Sequence, residues 1–174
     1  MSVLKVTGCL LILYSSFMTG HAVGNFYTRM VKEMEELLLI IQIIKSQIIY
    51  EGTELPELLE KCEQRSGGAV RIWIRSLRQR VSECRDKPFA ELWQESMTVL
   101  ADLTAVKGDV LDEVRRLGDI LGDMDVEAQI SRITLVESVI TDKYERERYR
   151  NGGVRRLAHS LGFLGGVFIV IMLL

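Results

Sequence analysis

Proline is almost absent from this chain of 174 residues, and sheet-forming patterns are missing altogether. The two prolines, Pro56 and Pro88, both stand where a helix would begin, which is the helical position that tolerates proline best. No run alternates polar and apolar residues over the length of a strand, and no Asn-Gly or Asp-Gly pair joins two β-rich runs. These absences exclude a sheet as the main element and favour an all-α fold.

Residues that carry common catalytic and metal chemistry are also scarce. Neither of the two histidines, His21 and His159, has a carboxylate or a cysteine at metal-ligand spacing. No Walker loop, dinucleotide fingerprint or nucleophile elbow occurs. Cys62 and Cys84 fall on apolar helical positions, where small buried side chains are expected. We therefore expect no enzyme activity, no metal, no cofactor and no small-molecule substrate.

Positive charge is not in excess either. The chain has 22 lysines and arginines against 24 aspartates and glutamates, which gives a formal net charge of −2. Because the chain lacks an overall basic field, nucleic acid is not an expected partner.

Apolar residues are concentrated at both ends of the chain. Residues 157–174 contain no Asp, Glu, Lys or Arg, and eighteen helical residues span roughly 27 Å, close to the ~30 Å hydrocarbon core of a bilayer. The N-terminal apolar segment is weaker and is compatible with an uncleaved membrane helix or with a cleaved signal peptide. We favour the uncleaved helix and predict transmembrane helices at 3–23 and 157–174.

Basic residues flank the inner side of both apolar segments. Because the cytoplasmic flanks of membrane spans carry excess Lys and Arg, their placement predicts that residues 26–150 lie in the cytoplasm, beside anionic lipid headgroups. A cleaved signal peptide would instead place this region outside the cell. The basic residues predicted to face the membrane are Arg29, Lys32, Arg146, Arg148, Arg150, Arg155 and Arg156.

Residues 26–150 predict one cytosolic bundle of six antiparallel helices. An even number of antiparallel helices returns the chain to its starting side, as two flanking membrane helices require. Apolar residues in the first helix recur at spacings of three and four, which forms a seam on one face. The seam consists of Phe26, Met30, Met34, Leu37, Ile41, Ile44 and Ile48.

Five further helices follow, separated by glycine-, proline- and aspartate-containing breaks such as Ser66-Gly67-Gly68. They are predicted at about 53–64, 69–85, 88–103, 105–121 and from about 125 into the arginine-rich stretch. Their core-facing positions include Cys62, Trp73, Trp93, Leu103, Leu117, Val126 and Ile133.

Two groups of residues are candidate interaction surfaces. Arg71, Arg75 and Arg78 on the outer face of the third helix form either a solvated face or a docking site for an acidic partner. Gly162 and Gly166 stand four apart in the last apolar segment, which allows close packing of membrane helices or reflects ordinary glycine usage.

A Leu-Gly motif lies between the fifth and sixth helices. Gly118 and Gly122 would allow close packing or a tight turn between these helices. Asp119, Asp123 and Asp125 form an acidic cluster whose spacing fits no EF-hand loop, so Asp123 or Asp125 is better explained as the N-cap of the sixth helix than as part of a divalent-cation site.

Three stretches of the chain carry a family pattern. The most specific is Leu117-Gly118-Asp119-Ile120-Leu121-Gly122-Asp123-Met124-Asp125, followed by Gln129. Ile49-Tyr50 with Thr53, and the run 160–166 before the apolar end, fit as well. On these residues the whole chain resembles the stage III sporulation protein AB family of spore-forming bacteria. Two departures are Glu54, where the family commonly has proline, and Asn151–His159, which looks like an additional linker.

The resemblance implies a non-enzymatic role in sporulation. The family is similar to the inner-membrane platform protein of type II secretion and type IV pilus machines, and it looks like a component of the mother cell to forespore channel. It implies a secretion-type sporulation ATPase and other stage III channel proteins as partners, at the mother cell membrane that faces the forespore. A membrane sensor with an extracytoplasmic helical bundle is the alternative.

Overall fold

The computed structural model describes the backbone of residues 3–50, 54–84, 86–121 and 126–173. Most side chains before residue 21 and after residue 150 lie outside this description. All regular secondary structure in the described ranges is helical, which confirms the prediction of an all-α chain with six helices. These are α1 Val3–Tyr50, α2 Leu55–Arg65, α3 Gly68–Glu83, α4 Phe89–Leu103, α5 Asp109–Ile120 and α6 Val126–Leu173.

The first and last helices each extend from the bundle through a terminal segment of the chain. Each has 48 residues, so the terminal segments and the adjoining bundle helices form single helices. The linker expected at Asn151–His159 is a wrong prediction, because this segment continues α6. Each of its two glycines costs only about 1 kcal/mol relative to alanine, and no proline interrupts the backbone hydrogen bonds.

In the part of the chain that the structure describes, no helix combines the length and the apolar character needed to cross a membrane. The segments predicted to do so, 3–23 and 157–174, are helical where their backbone is described. The two predicted transmembrane helices therefore have no support from the described structure.

The chain divides into two compact units. One joins residues 1–29 to residues 146–174, and the other is the helical bundle Met30–Glu145. The buried apolar side chains of the described residues all belong to the bundle, which therefore holds the hydrophobic core.

The bundle core contains most of the predicted seam. Met34 and Leu37 are 2% and 1% exposed, for example. Three core predictions are wrong, since Phe26 is 50%, Leu103 37% and Val126 50% exposed. Phe26 lies outside the bundle unit. Leu103 and Val126 are the last residue of α4 and the first of α6, where a helix has no further turn to pack beside them.

Glycine separates α2 from α3 and delays the start of α5. The predicted break at residues 66–68 is confirmed, because both cap residues are extended and Gly68 has a φ of +46°. The fifth helix, predicted from Ala105, begins only at Asp109. Gly108 has a φ of +64°, a left-handed value that interrupts a helix and that glycine adopts without strain. Residues 104–108 consequently form a loop between α4 and α5.

Candidate partner-binding surface

A charged groove runs between α2 and α3 on the surface of the bundle. Arg71, Arg75 and Arg78 recur at spacings of four and three, which places them on one face of α3. Glu60 and Glu63 are three apart and lie together on α2. The groove has a volume of about 430 Å³ and is lined by Glu60, Glu63, Gln64, Arg71, Arg75 and Arg78.

Each of the three arginines uses its Nε atom for a contact with α2 or its C-terminal cap. Arg75 Nε donates a hydrogen bond to Glu63 Oε1 at 2.7 Å. Arg78 Nε lies 3.0 Å from Glu63 Oε2, as an ion pair without hydrogen-bond geometry. Arg71 Nε donates to the carbonyl oxygen of Ser66 at 2.7 Å. These contacts orient the guanidinium planes, although the side chain of Arg75 remains 63% exposed.

The acidic wall of the groove is the part that the sequence analysis missed. The Glu63 side chain is only 12% exposed and is shared by two arginines. Glu54, Glu57 and Glu60 continue the wall along a second hollow beside the first. The sequence shows that the glutamates recur every three residues. It does not show that they face the arginines of α3. The surface predicted as a basic face is therefore a groove of paired charges.

Two tryptophans pack on the buried side of α3 and α4. Trp73 and Trp93 meet edge to face, with ring centroids 5.1 Å apart and an interplanar angle of 80°. Trp73 Nε1 donates to Ser96 Oγ at 2.9 Å, and Ser96 Oγ donates to the Trp93 carbonyl at 2.7 Å. Trp93 Nε1 donates to the carbonyl of Val114 at 2.9 Å. The predicted core positions of both tryptophans are confirmed, and their contacts connect α3, α4 and α5.

The Leu-Gly motif begins inside this core. Leu117 is 1% exposed. Gly118 lies so close to Trp93 that a Cβ atom at this position would stand 2.3 Å from the ring atom Cδ1. Gly118 thus allows α5 to approach α4, whereas the sequence analysis placed the close packing between the fifth and sixth helices.

The second half of the motif spans the connection from α5 to α6. Leu121 is half-buried and donates its backbone N–H to the carbonyl of Leu117 at 2.9 Å. Gln129, near the start of α6, is 8% exposed. Gly122 and Asp125 lie outside the described residues, so the turn and the N-cap predicted there stay predictions.

A buried carboxylate, also missed by the sequence analysis, holds the α4–α5 loop. Glu33 of α1 is 5% exposed. Its Oε2 accepts hydrogen bonds from Thr104 Oγ1 and from the Ala105 N–H, both at 2.6 Å. The sequence does indicate that Glu33 is buried, because it stands three residues after Met30 and four before Leu37, on the apolar face of α1. A carboxylate buried at such a position requires hydrogen-bond donors.

The basic residues predicted to face the membrane are exposed where their side chains are described. Six of the seven belong to the unit that joins residues 1–29 to 146–174, where Tyr149 is 90% exposed. The exposed residues are Arg29, Lys32, Arg146, Arg148 and Arg150. The side chains of Arg155 and Arg156 and the surroundings of Gly162 and Gly166 lie outside the described part.

In the described ranges, no three His, Cys, Asp or Glu residues lie close enough together to bind a metal ion. Cys62 is fully buried, and burial raises the pKa of its thiol to about 12. Cys84 is half-buried, and both thiols are free. A thiol with so high a pKa stays protonated and unreactive, so Cys62 acts as a small apolar side chain.

A family model and a relative match this chain over nearly its whole length. The family model of stage III sporulation protein AB matches residues 5–174. The stage III sporulation protein AB of Bacillus subtilis (strain 168) is 20% identical over 171 residues, which cover 98% of this chain and 99% of that protein. A solved structure of stage III sporulation protein AB (SpoIIIAB) has a TM-score of 0.67 at 14% identity, over 71% of this chain and 97% of that chain. This structural likeness shows a shared fold.

Proposed function

Because the chain belongs to the stage III sporulation protein AB family, we propose that it is a membrane-anchored adaptor of the channel between mother cell and forespore. Family membership gives the chain its role in sporulation. In our proposal the bundle docks a secretion-type sporulation ATPase and other stage III channel proteins, as a platform protein of a secretion machine would. It does so without catalysing a reaction.

The charged groove between α2 and α3 is the observation that carries this proposal. An adaptor recognises a protein through exposed residues on a rigid support, and arginine is enriched at such interfaces. The groove presents three arginines and two glutamates on two packed helices. On the buried side of α3, Trp73 is held by its hydrogen bond to Ser96. The charged side chains of the groove therefore stand on helices that are fixed by the core.

The polar groups of the bundle support a role without catalysis. Glu33 and Ser96 are buried, and their hydrogen bonds connect helices and loops. Glu95 and Asp109 have lowered pKa values because they accept hydrogen bonds from Lys87 and Lys143, and all of these contacts lie at the surface. A catalytic site would instead bring such groups together in a concave pocket.

Membrane anchoring rests on the sequence of the C-terminal segment and on the residues that precede it. Residues 157–174 carry no charged side chain. Arg148 and Tyr149 are exposed before them, and such a pair is typical of a membrane–water interface, where arginine binds anionic headgroups. Gly162 and Gly166 would let this anchor pack against a second membrane helix. The bundle then lies in the mother cell cytoplasm, at the membrane facing the forespore.

Cysteine labelling tests the location of the bundle. In a Cys9→Ala, Cys62→Ala variant the one remaining thiol is Cys84, which is half-buried. A membrane-impermeant maleimide should leave Cys84 unlabelled in intact sporulating cells and label it once the cells are opened. A denatured sample controls for burial. Labelling of Cys84 in intact cells would support the alternative, a sensor whose bundle lies outside the cell. Alkaline carbonate tests the membrane anchor separately, and extraction of the protein from membranes by carbonate would contradict it.

Site-specific photo-crosslinking tests the adaptor role. A crosslinking amino acid in place of Gln64, which lines the groove, should capture the sporulation ATPase in sporulating cells. Ser131 is exposed on α6 and provides the matched control position. Capture of the ATPase from Ser131 but not from Gln64 would contradict the groove as its docking site, and capture from neither would contradict docking by the bundle.

A further inference from the structure

We propose that Arg71, Arg75 and Arg78 form a preoriented row of guanidinium groups that binds the carboxylates of an acidic, partly apolar helix in a partner protein. We call these three residues the arginine row. The inference deepens the proposed function and rests on it for the partner being a protein. It adds the chemistry and the geometry that this partner must have.

The Nε contacts fix how two guanidinium groups of the arginine row are oriented. Arginine has five N–H donors in one planar fork, of which one is on Nε and four are on the two terminal nitrogen atoms. Arg71 and Arg75 donate their Nε–H groups to acceptors of the bundle, Ser66 and Glu63. The terminal donors are then carried on a plane whose orientation is already set. Such preorganisation lowers the entropy lost on binding and favours two-point contacts with carboxylates.

The spacing of the arginine row matches the repeat of a second helix. Residues 71, 75 and 78 are separated along the axis of α3 by about 6 Å and about 4.5 Å, from a rise of 1.5 Å per residue. A second helix with carboxylates at positions i, i+4 and i+7 has the same repeat. Packed alongside the groove, it would bring one carboxylate to each guanidinium group.

The surroundings of the arginine row favour a protein over a phosphate-rich partner. The six residues that line the groove carry three positive and two negative formal charges, a net charge of +1. The backbone of a nucleic acid or the surface of an anionic bilayer carries continuous negative charge and would also face Glu60 and Glu63, whereas a helix can place its carboxylates at the arginines and uncharged side chains opposite the two glutamates. Ile72, the residue after Arg71 on α3, is 51% exposed and lies roughly 100° round the helix from Arg71, outside the residues that line the groove, so it offers an apolar contact at the edge of the arginine row.

Peptide binding to the full chain tests the proposal. The protein is placed in nanodiscs of neutral phosphatidylcholine, and the probe is a labelled alanine-based helix with Glu at i, i+4 and i+7 and one adjacent leucine. Fluorescence anisotropy should show binding that weakens as salt rises, because exposed charges are screened. A probe with Gln in place of Glu should bind at least tenfold more weakly. Equal binding of both probes would overturn the proposal.

Variants separate the arginine row from general charge. The single variant R71Q leaves both arginine contacts of Glu63 intact. The double variant R71Q/R75Q should weaken binding of the Glu helix at least tenfold. R115Q/R116Q removes two exposed arginines from α5 and should change binding less than twofold. R71K/R75K keeps the charge but removes the oriented fork, and it should lose most of the binding. Full binding by the lysine variant would overturn the role of preorientation.

Two measurements keep the result unambiguous. Far-ultraviolet circular dichroism should show that R71Q, R71Q/R75Q and R71K/R75K keep the helix content of the unmodified chain, so that lost binding is not lost folding. Vesicles of phosphatidylglycerol serve as the phosphate-rich probe. If they compete for the groove more tightly than the Glu helix, and R71Q abolishes that competition, the acidic-helix proposal is overturned. Such a failure leaves the labelling and crosslinking tests of the proposed function unaffected.

Discussion

Replacing Gly118 with alanine should destabilise the bundle by about 2 kcal/mol, because α5 approaches α4 at this residue. The added Cβ would stand 2.3 Å from Cδ1, 2.5 Å from Cγ and 2.9 Å from Cβ of Trp93. Normal contacts between carbon atoms lie near 3.5–4.0 Å, so the ring or the helix must shift by about 1 Å. Overpacking of this kind costs about 1–3 kcal/mol.

Trp93 is poorly placed to make that shift. Its Nε1 is hydrogen-bonded to the Val114 carbonyl at 2.9 Å, and its ring packs against Trp73 and Phe89 at centroid distances of 5.1 and 5.7 Å. Loss of the hydrogen bond would add about 1 kcal/mol to the cost. The better helix propensity of alanine offsets about 1 kcal/mol, which leaves a net loss of about 2 kcal/mol.

Thermal unfolding followed by far-ultraviolet circular dichroism measures this loss. At about 4 °C per kcal/mol, the melting temperature of the Gly118→Ala variant should fall by about 8 °C. Gly153→Ala is the matched control, since this helical glycine has no atom within 4 Å of an added Cβ and the substitution should leave stability equal or higher. In a Trp93→Ala background the cost of Gly118→Ala should shrink. An unchanged melting curve for Gly118→Ala would refute the close approach.

Three further outcomes follow from other contacts. Glu33→Ala should lower the free energy of unfolding by about 3 kcal/mol, because it removes the acceptor of two buried donors in the α4–α5 loop. Glu35→Ala, at an exposed position of the same helix, should change it by no more than about 0.5 kcal/mol. Urea midpoints measure both variants. Cys84 should react with a thiol reagent well before Cys62, whose pKa of about 12 and complete burial protect it, and equal rates in the folded state would contradict this. The pKa of Glu95 is lowered, so its ion pairs stabilise the fold fully above the ordinary carboxyl pKa and are lost as the pH falls through the lowered value. The urea midpoint should therefore drop less between pH 6 and pH 3 in Glu95→Gln than in the unmodified chain.

The sequence predicts the parts of this fold that depend on local periodicity. The seam of α1 from Met34 onward and the break before α3 follow from apolar spacing and from glycine, and both need only a few neighbouring residues to be recognised. The continuity of α6 through Asn151 was not predicted, because glycine and asparagine weaken a helix without ending it.

The candidate site depends on contacts between residues that are far apart in the chain. Glu33 holds a loop that is more than seventy residues away, as its hydrogen bonds to Thr104 and Ala105 show. The arginines of α3 are recognisable as a face, but their pairing with Glu63 depends on how α2 packs against α3. Tertiary neighbours of this kind leave no regular spacing in the sequence, so only the chemical oddity of a buried charge indicates them.

The tryptophan pair has a spectroscopic consequence. Trp73 and Trp93 are the two tryptophans of the chain, and both are 0% exposed. All indole fluorescence therefore comes from one point between α3 and α4, and its emission should be shifted to the blue. Events confined to the ends of the chain should leave this signal unchanged, whereas any rearrangement that separates α3 from α4 should alter it. The protein thus contains its own optical probe of the helix that carries the arginine row.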